Sequence, residues 1–428
     1  MVFDLLATRR FAPLFWCQFL SAFNDNFVRN MLAMLLLFRF GTAETGTLIT
    51  LAIGVFVFPS IFLSGLGGEI GDANDKARVI RRLKAAEVLV QTLAAIGLLL
   101  SSLPLLYAAL FGLGVISALF GPIKSGILPD HLRRDELMGG NALMDAAVFI
   151  GILLGLVAGA LSMRTTVPPL LVVFQLMGIA AACFTASCFI PPTEVAAPHL
   201  AIRTNVLAST AALLKDLRLE PFLWESGLAL SWFWLTGAVA LSLVPVVVRD
   251  ATGGGVEVEA AISALFAVGI AAGSLGVALL ARGRIFLKPA PPAALGMAFF
   301  LIEIGLATHH LAPFAGRSIG LAAFFTSAAG LRIAIDVVGL AAAGGFYVVP
   351  LFAAVQAEAP VARRARIIAA INILNAVFMV GGTAVTAFLQ SRLVGLSEPL
   401  LLLGLGIANL GAAAYVWRKV MPYKLGVQ

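Results

Sequence analysis

Ser21-Ala-Phe-Asn24-Asp25-Asn26-Phe-Val-Arg29-Asn30 interrupts the first long apolar stretch of this 428-residue chain. Apolar residues flank it on both sides, from Phe11 to Leu20 and from Met31 to Phe38. An ionisable group at bilayer depth costs roughly 3 kcal/mol, so a chain that keeps several there is expected to use them. The stretch reads as a polar path along a membrane helix.

The rest of the chain agrees with a membrane setting. Hydrophobic residues make up 61% and charged residues 12%, against about 25% charged in a soluble domain. Apolar blocks of about 18 to 25 residues recur, long enough to cross a hydrocarbon core of ~30 Å. Twelve spans are predicted, at 11–38, 46–68, 83–101, 104–127, 136–161, 168–190, 222–248, 257–281, 291–310, 328–355, 364–389 and 399–417. Residues 313–330 suggest a short extra segment before the tenth. The 42 glycines lie within apolar blocks, where they let helices approach closely. The net charge of +7 does not signal nucleic acid, because the charges sit in short connections as topology signals do. Cys17, Cys183 and Cys188 form neither a disulfide framework nor a metal spacing and read as small core residues. No cleavable leader is expected, since the first apolar block is long and carries the polar run.

Most of the 29 lysines and arginines fall on one side of this layout, in clusters around Arg9, Lys76–Lys84, Arg133, Arg203–Arg218, Arg282–Lys288, Arg363–Arg366 and Arg418–Lys424. That side is the cytoplasm, so both termini are expected there. The longest polar connection begins at Pro191-Pro192 and separates six spans from six, giving an N-terminal bundle at 1–192, a linker at 193–221 and a C-terminal bundle at 222–428. Leu207, Leu213, Leu214 and Leu217 predict an amphipathic linker helix lying on the inner membrane face. The halves echo one another. Arg133-Arg134 precedes Asn141 and Asp145 as Arg363-Arg364 precedes Asn372 and Asn375, and Leu20–Phe23 parallels Leu230–Phe233. A parallel 6+6 duplication gives such pairings. The expected fold is all-α, with twelve transmembrane helices in two six-helix bundles.

Several constellations could carry chemistry. Asp25 and Arg29 are four apart and can pair on one helix face, with Asn24, Asn26 and Asn30 extending the patch. The patch is either a polar site or a structural pair between helices. Lys124 follows Gly121-Pro122, where proline frees a carbonyl; it either faces a polar cavity or snorkels to the interface. Asn141 with Asp145 is a further i, i+4 set, about two turns into its span, where it lies either within the membrane or at the interface; Arg332 with Asp336 is another, which either pairs internally or lines a cavity. Glu87 and Glu303 are single carboxylates, and Glu87 stands close to Lys84. Trp232 and Trp234, beside Phe233, form either a cavity wall or core. The Gly68-Glu-Ile-Gly-Asp72-Ala-Asn-Asp75-Lys76-Ala-Arg78 stretch predicts a tight turn. Asp72 there can dock on the positive N-terminus of another helix, or the stretch is a plain charged loop. No Walker A, His-Glu-x-x-His or Cys-His set is present, and His131 to Asp135 is one residue short of an acyltransferase spacing. The expectation is a non-enzyme with no cofactor and no metal.

Gly68-x3-Asp72-x3-Lys76 resembles the loop 2–3 signature of the major facilitator superfamily, departing from it at Ala73 and Asp75. Asp75-Lys76 resembles the branch of bacterial lysophospholipid transporters. Gln18–Asn26, Phe120–Pro129, Glu136–Leu143, Ser231–Val239 and Arg363–Met379 resemble the same branch, so the likeness covers both halves. It implies a carrier that moves lysophosphatidylethanolamine and lysophosphatidylglycerol from the outer to the inner leaflet of a Gram-negative inner membrane. A separate acyltransferase and acyl-carrier-protein ligase would then re-acylate them. Arg29, Lys124 or Arg332 would meet the phosphate; Asp25 or Asp145, with Asn24, Asn26 and Asn141, would meet the ammonium or hydroxyls. Asn30, Trp232, Trp234, Asp336, Asn372 and Asn375 complete the candidate site. Gly68, Asp72, Asp75, Lys76 and Arg78, with Arg363, Arg364 and Arg366, would form the gate, as a monomeric protein rocks between states. Asp72 is expected near the start of span eleven in the outward-open state. Two other readings stand beside this one: a proton-coupled drug or metabolite antiporter using Asp25, and a non-transporting lipid-binding partner of an acyltransferase.

Overall fold

A computed structural model of the chain describes residues 2–36, 45–163, 167–203, 205–309 and 319–423. Among these, twelve helices of 18 residues or more follow one another. They are α1 (Ala12–Leu35), α2 (Thr45–Ala73), α3 (Lys76–Leu99), α4 (Leu103–Gly126), α5 (Leu137–Ser162) and α6 (Pro169–Cys188). A linker helix, α7 (Val206–Arg218), precedes α8 (Pro221–Thr252), α9 (Val256–Ala281), α10 (Ala290–His309), α11 (Ala328–Glu358), α12 (Arg364–Gln390) and α13 (Glu398–Tyr415). Ten are apolar enough to cross a membrane on composition. The other two, α1 and α3, carry the polar residues discussed below. The protein is an all-α membrane protein.

The predicted spans match these helices, with one correction at the second and third. Helix α2 runs on to Ala73 and α3 begins at Lys76, so Gly68 and Asp72 are helical and the turn is only two residues long. Gly68 serves close packing: a Cβ there would lie 2.7 Å from Ala369 Cβ and 2.8 Å from Ala365 O. The expected extra segment is a six-residue helix, Leu321–Thr326; the neighbouring residues 310–318 lie outside the described residues, as do Phe38, Arg39, Arg164, Arg317 and Lys424.

The chain forms two compact units. One comprises Met1–Gly140, Ala147–Leu219 and Ala359–Ile373; the other comprises Asn141–Ala146, Glu220–Glu358 and Leu374–Gln428. In the first, Phe27, Met31, Leu32 and Leu35 of α1 pack with Leu98, Leu110, Leu113 and Leu176 in a fully buried cluster. Helix α5 meets α1 through a stripe of glycines. A Cβ on Gly151 would stand 2.8 Å from Phe19 O, one on Gly159 2.6 Å from Phe27 O, and one on Gly155 would overlap Phe23 O. Small residues at four-residue spacing give this backbone approach in membranes. In the second unit, α9 and α11 meet likewise, with Gly345 against Ile270 O at 2.7 Å and Gly273 against Ala342 O.

Of the four leucines of the linker helix, Leu207 is exposed and Leu214 half-buried, whereas Leu213 and Leu217 face the protein. Ser209, Leu213 and Leu217 are buried, and Leu213 reaches the bare face of Gly65 on α2. Of the cysteines, Cys17 and Cys183 are buried with Sγ atoms 3.9 Å apart, whereas Cys188 is exposed and is not a core residue.

Candidate functional site

Helix α1 spends most of its polar residues on its neighbours. Asn24 is wholly buried and donates to Glu87 Oε1 on α3 at 2.9 Å. Asn30 donates to Leu156 O on α5 at 2.5 Å. Asn26 donates to Ala22 O at 2.7 Å and accepts from Arg29 Nη2. The Arg29 guanidinium lies 5.5 Å from the Phe56 ring centroid. Arg29 and Asp25 therefore form no ion pair, although their spacing allows one. Asp25 is half-buried and makes no hydrogen bond among the described residues. It is the acidic residue of α1.

Lys84, which the sequence places with the basic connection, is 1% exposed inside α3. Its ammonium donates to Glu87 Oε2 at 2.6 Å and to Ser21 Oγ at 2.7 Å, and stands 4.2 Å from the Phe120 ring centroid. Lys124, near the end of α4, lies 5.7 Å from the same ring and is half-buried. Asn141 donates to Gln356 Oε1 at 2.5 Å, and Asp145 is half-buried a turn further along α5.

Around the α2–α3 turn the predicted gate residues converge. Asp72 is fully buried; Oδ1 accepts from Ala365 N at 3.0 Å, and Oδ2 from Arg366 N and Nε, each at 3.1 Å. A carboxylate thus meets the exposed amides at the start of α12, where the helix dipole favours negative charge. Asp75 caps α3 by accepting from Ala77 N at 3.0 Å. Lys76, 1% exposed, pairs with Asp130 at 2.8 Å, and Arg364 pairs with the other oxygen of Asp130 at 2.9 Å. Asp130 was not among the predicted residues. Arg363 lines a small cleft with Leu213 and Asp216 of α7, and Arg78 is exposed.

The connection between the halves is tied to the same place. Thr193 donates to Asp75 Oδ1 through N and Oγ1 at 3.0 and 3.2 Å, and Ala197 N donates to Asp72 O at 2.8 Å. Glu69, 2% exposed on α2, accepts from Arg203 N at 2.8 Å and Ser209 Oγ at 2.6 Å.

In the second unit Arg332 pairs with Glu303 of α10 rather than with Asp336. Asp336 is 4% exposed and its Oδ2 has no partner among the described residues. Trp232 lines an apolar cavity of about 320 Å³ with Leu228, Tyr347, Phe378 and Tyr415. The polar tips of its rings are used internally: Trp232 Nε1 donates to Asn409 Oδ1 at 3.1 Å, Tyr347 Oη to Ala229 O at 3.1 Å, and Tyr415 Oη to Glu225. Trp234 is 36% exposed and packs edge-on against Phe233. Asn375 accepts from Ser231 Oγ at 2.9 Å; Asn372 is half-buried. Among the described residues no group of His, Cys, Asp and Glu is arranged to hold a metal.

Long apolar helices with buried charge, and a carboxylate docked on a helix start, mark a polytopic membrane protein. The chain belongs to the Major Facilitator Superfamily, whose family model matches residues 14–383. It is similar to the lysophospholipid transporter LplT of Enterobacter sp. (strain 638), 28% identical over an alignment of 355 residues that covers 79% of this chain and 78% of that one. LplT of Escherichia fergusonii is 28% identical over 352 residues, with the same coverage of 79% and 78%. Among solved structures, the human organic anion transporter MFSD10 superposes with a TM-score of 0.73 at 16% identity, covering 95% of this chain and 99% of that one. FucP in its outward conformation gives 0.69 at 14% identity, with coverage of 96% and 98%. The last two likenesses carry the fold.

Proposed function

We propose that this chain carries lysophospholipids with ethanolamine or glycerol headgroups from the outer to the inner leaflet of a bacterial inner membrane. Both termini lie in the cytoplasm, the bundles are 1–192 and 222–428, and a separate acyltransferase restores the second chain. The observation that carries this reading is the similarity, along 79% of the chain, to relatives named as lysophospholipid transporters. The side-chain chemistry supports it. Asp25 accepts no hydrogen bond among the described residues and is suited to an ammonium; Arg29, Lys124 and Arg332 are cations suited to a phosphate. Asn24, Asn26 and Asn30 serve mainly to hold α1 in place. The Asp72 contact with the start of α12 forms in one transport state and breaks in another.

Liposomes holding this protein alone, given labelled lysophosphatidylethanolamine in the outer leaflet, test the reading. Protein-dependent protection of the label from an external quencher is expected, unchanged when a proton gradient is collapsed. No transfer would leave the lipid-binding-partner reading; loss with the gradient would favour proton antiport.

A further inference from the structure

Helices α1 and α3 are bridged by the long side chains of α3, through two polar contacts at matched spacing. Ser21 meets Lys84, and three residues on, Asn24 meets Glu87, also three residues on. Lys84 and Glu87 would satisfy each other as an i, i+3 pair without help from α1. Instead, one oxygen of Glu87 is given to Asn24 and one proton of Lys84 to Ser21. Asn24, Lys84 and Glu87 are each no more than 1% exposed. The pair is enclosed by protein in this structure.

What it does face is the residue next to Asp25. Successive helix residues point about 100° apart. With Asn24 fixed on α3, Asp25 projects from a different side of α1 with its carboxylate unengaged. Asp25 is also within electrostatic reach of both members of the pair, the Glu87 carboxylate first and then the Lys84 ammonium that Glu87 occupies. We infer that Glu87 is a positioning residue: through Asn24 it holds α1 in register with α3, and by keeping Lys84 engaged it leaves Asp25 free for the headgroup. The inference rests on the ligand role of Asp25 in the proposed function.

Lysophosphatidylethanolamine transfer in liposomes, measured over a range of lipid concentrations, tests it with three variants. Lys84→Met/Glu87→Gln removes both charges and keeps an acceptor for Asn24; half-saturation within about twofold of the unaltered protein is expected. Lys84→Met/Glu87→Met removes the acceptor as well. Asn24→Leu leaves the ion pair and removes the donor. These last two should raise half-saturation about tenfold, the order of one charged hydrogen bond, with the maximal rate little changed. Replacing a buried ion pair by apolar side chains of similar size is tolerated by folding, and thermal unfolding in detergent checks this. If Lys84→Met/Glu87→Met does not fold, Asn24→Leu decides. Unaltered half-saturation in Asn24→Leu overturns the inference, as does equal impairment of the two double variants. If the unaltered protein itself moves no lysophospholipid, the proposed function fails and the inference with it; unchanged variant kinetics on an active protein sink the inference alone.

Discussion

Asp72 takes both the backbone N–H and the Nε of Arg366, each at 3.1 Å, on the same carboxylate oxygen, while its other oxygen takes Ala365 N. Three hydrogen bonds of about 1 kcal/mol each make this a contact worth roughly a hundredfold in an equilibrium. Ala365 lies under it, wholly buried against Gly71 and Gly126. A reporter cysteine at Ala365, with the three native cysteines replaced by alanine, should be protected from maleimide. Asp72→Ala should expose it, speeding labelling at least about tenfold; an unchanged rate would show that the contact does not hold the start of α12.

Asp25 makes no hydrogen bond among the described residues, so its removal should leave folding intact. Asp25→Ala is expected to express normally and to lower lysophospholipid uptake by more than about tenfold. Arg29→Ala loses Asn26 and the Phe56 face together, and should lose uptake as well, with a small fall in thermal stability. Uptake at the unaltered rate in both would remove α1 from headgroup binding.

The α1–α5 contact gives a stability prediction. Gly155→Val puts a branched side chain against the carbonyl of Phe23 and should cost about 1–3 kcal/mol, read as a lower unfolding temperature in detergent. Gly178→Ala in α6, where a Cβ meets nothing within 4 Å, is the matched control. It should be neutral or stabilising by up to about 1 kcal/mol.

Glu69 holds the linker through Arg203 N and Ser209 Oγ. Glu69→Ala leaves both donors without their acceptor, at about 1–3 kcal/mol. Trypsin should then cut at Arg203, Lys215 or Arg218 about tenfold faster, because cleavage of a folded segment follows its opening equilibrium. Equal digestion would mean that the strap is held elsewhere.

The spans were legible because hydropathy is a local property, and so was the polar run of α1. The signature around Asp72 pointed to a helix start, although it was read as a turn when most of it is helix. Lys84 groups in the sequence with Lys76, Arg78, Arg81 and Arg82, and nothing in composition marks where α3 enters the core; its i, i+3 partner Glu87 is the available sign. Asp130 could not be found this way. Its partners Lys76 and Arg364 are 54 and 234 positions away, and only folding brings them together. The Arg332–Glu303 pair, 29 positions apart on two helices, was hidden for the same reason behind the nearer Asp336.

Gly151, Gly155 and Gly159 recur every four residues, and so do the carbonyls they meet on α1. A surface with that repeat looks the same to a partner that has slid by four residues, about 6 Å along the axis. Sliding by one, two or three would drive the backbone into side chains. The stripe therefore fixes which way α1 is turned but is blind to its depth. Depth is read by groups that do not repeat, a serine and an asparagine that find their lysine and glutamate at one height only.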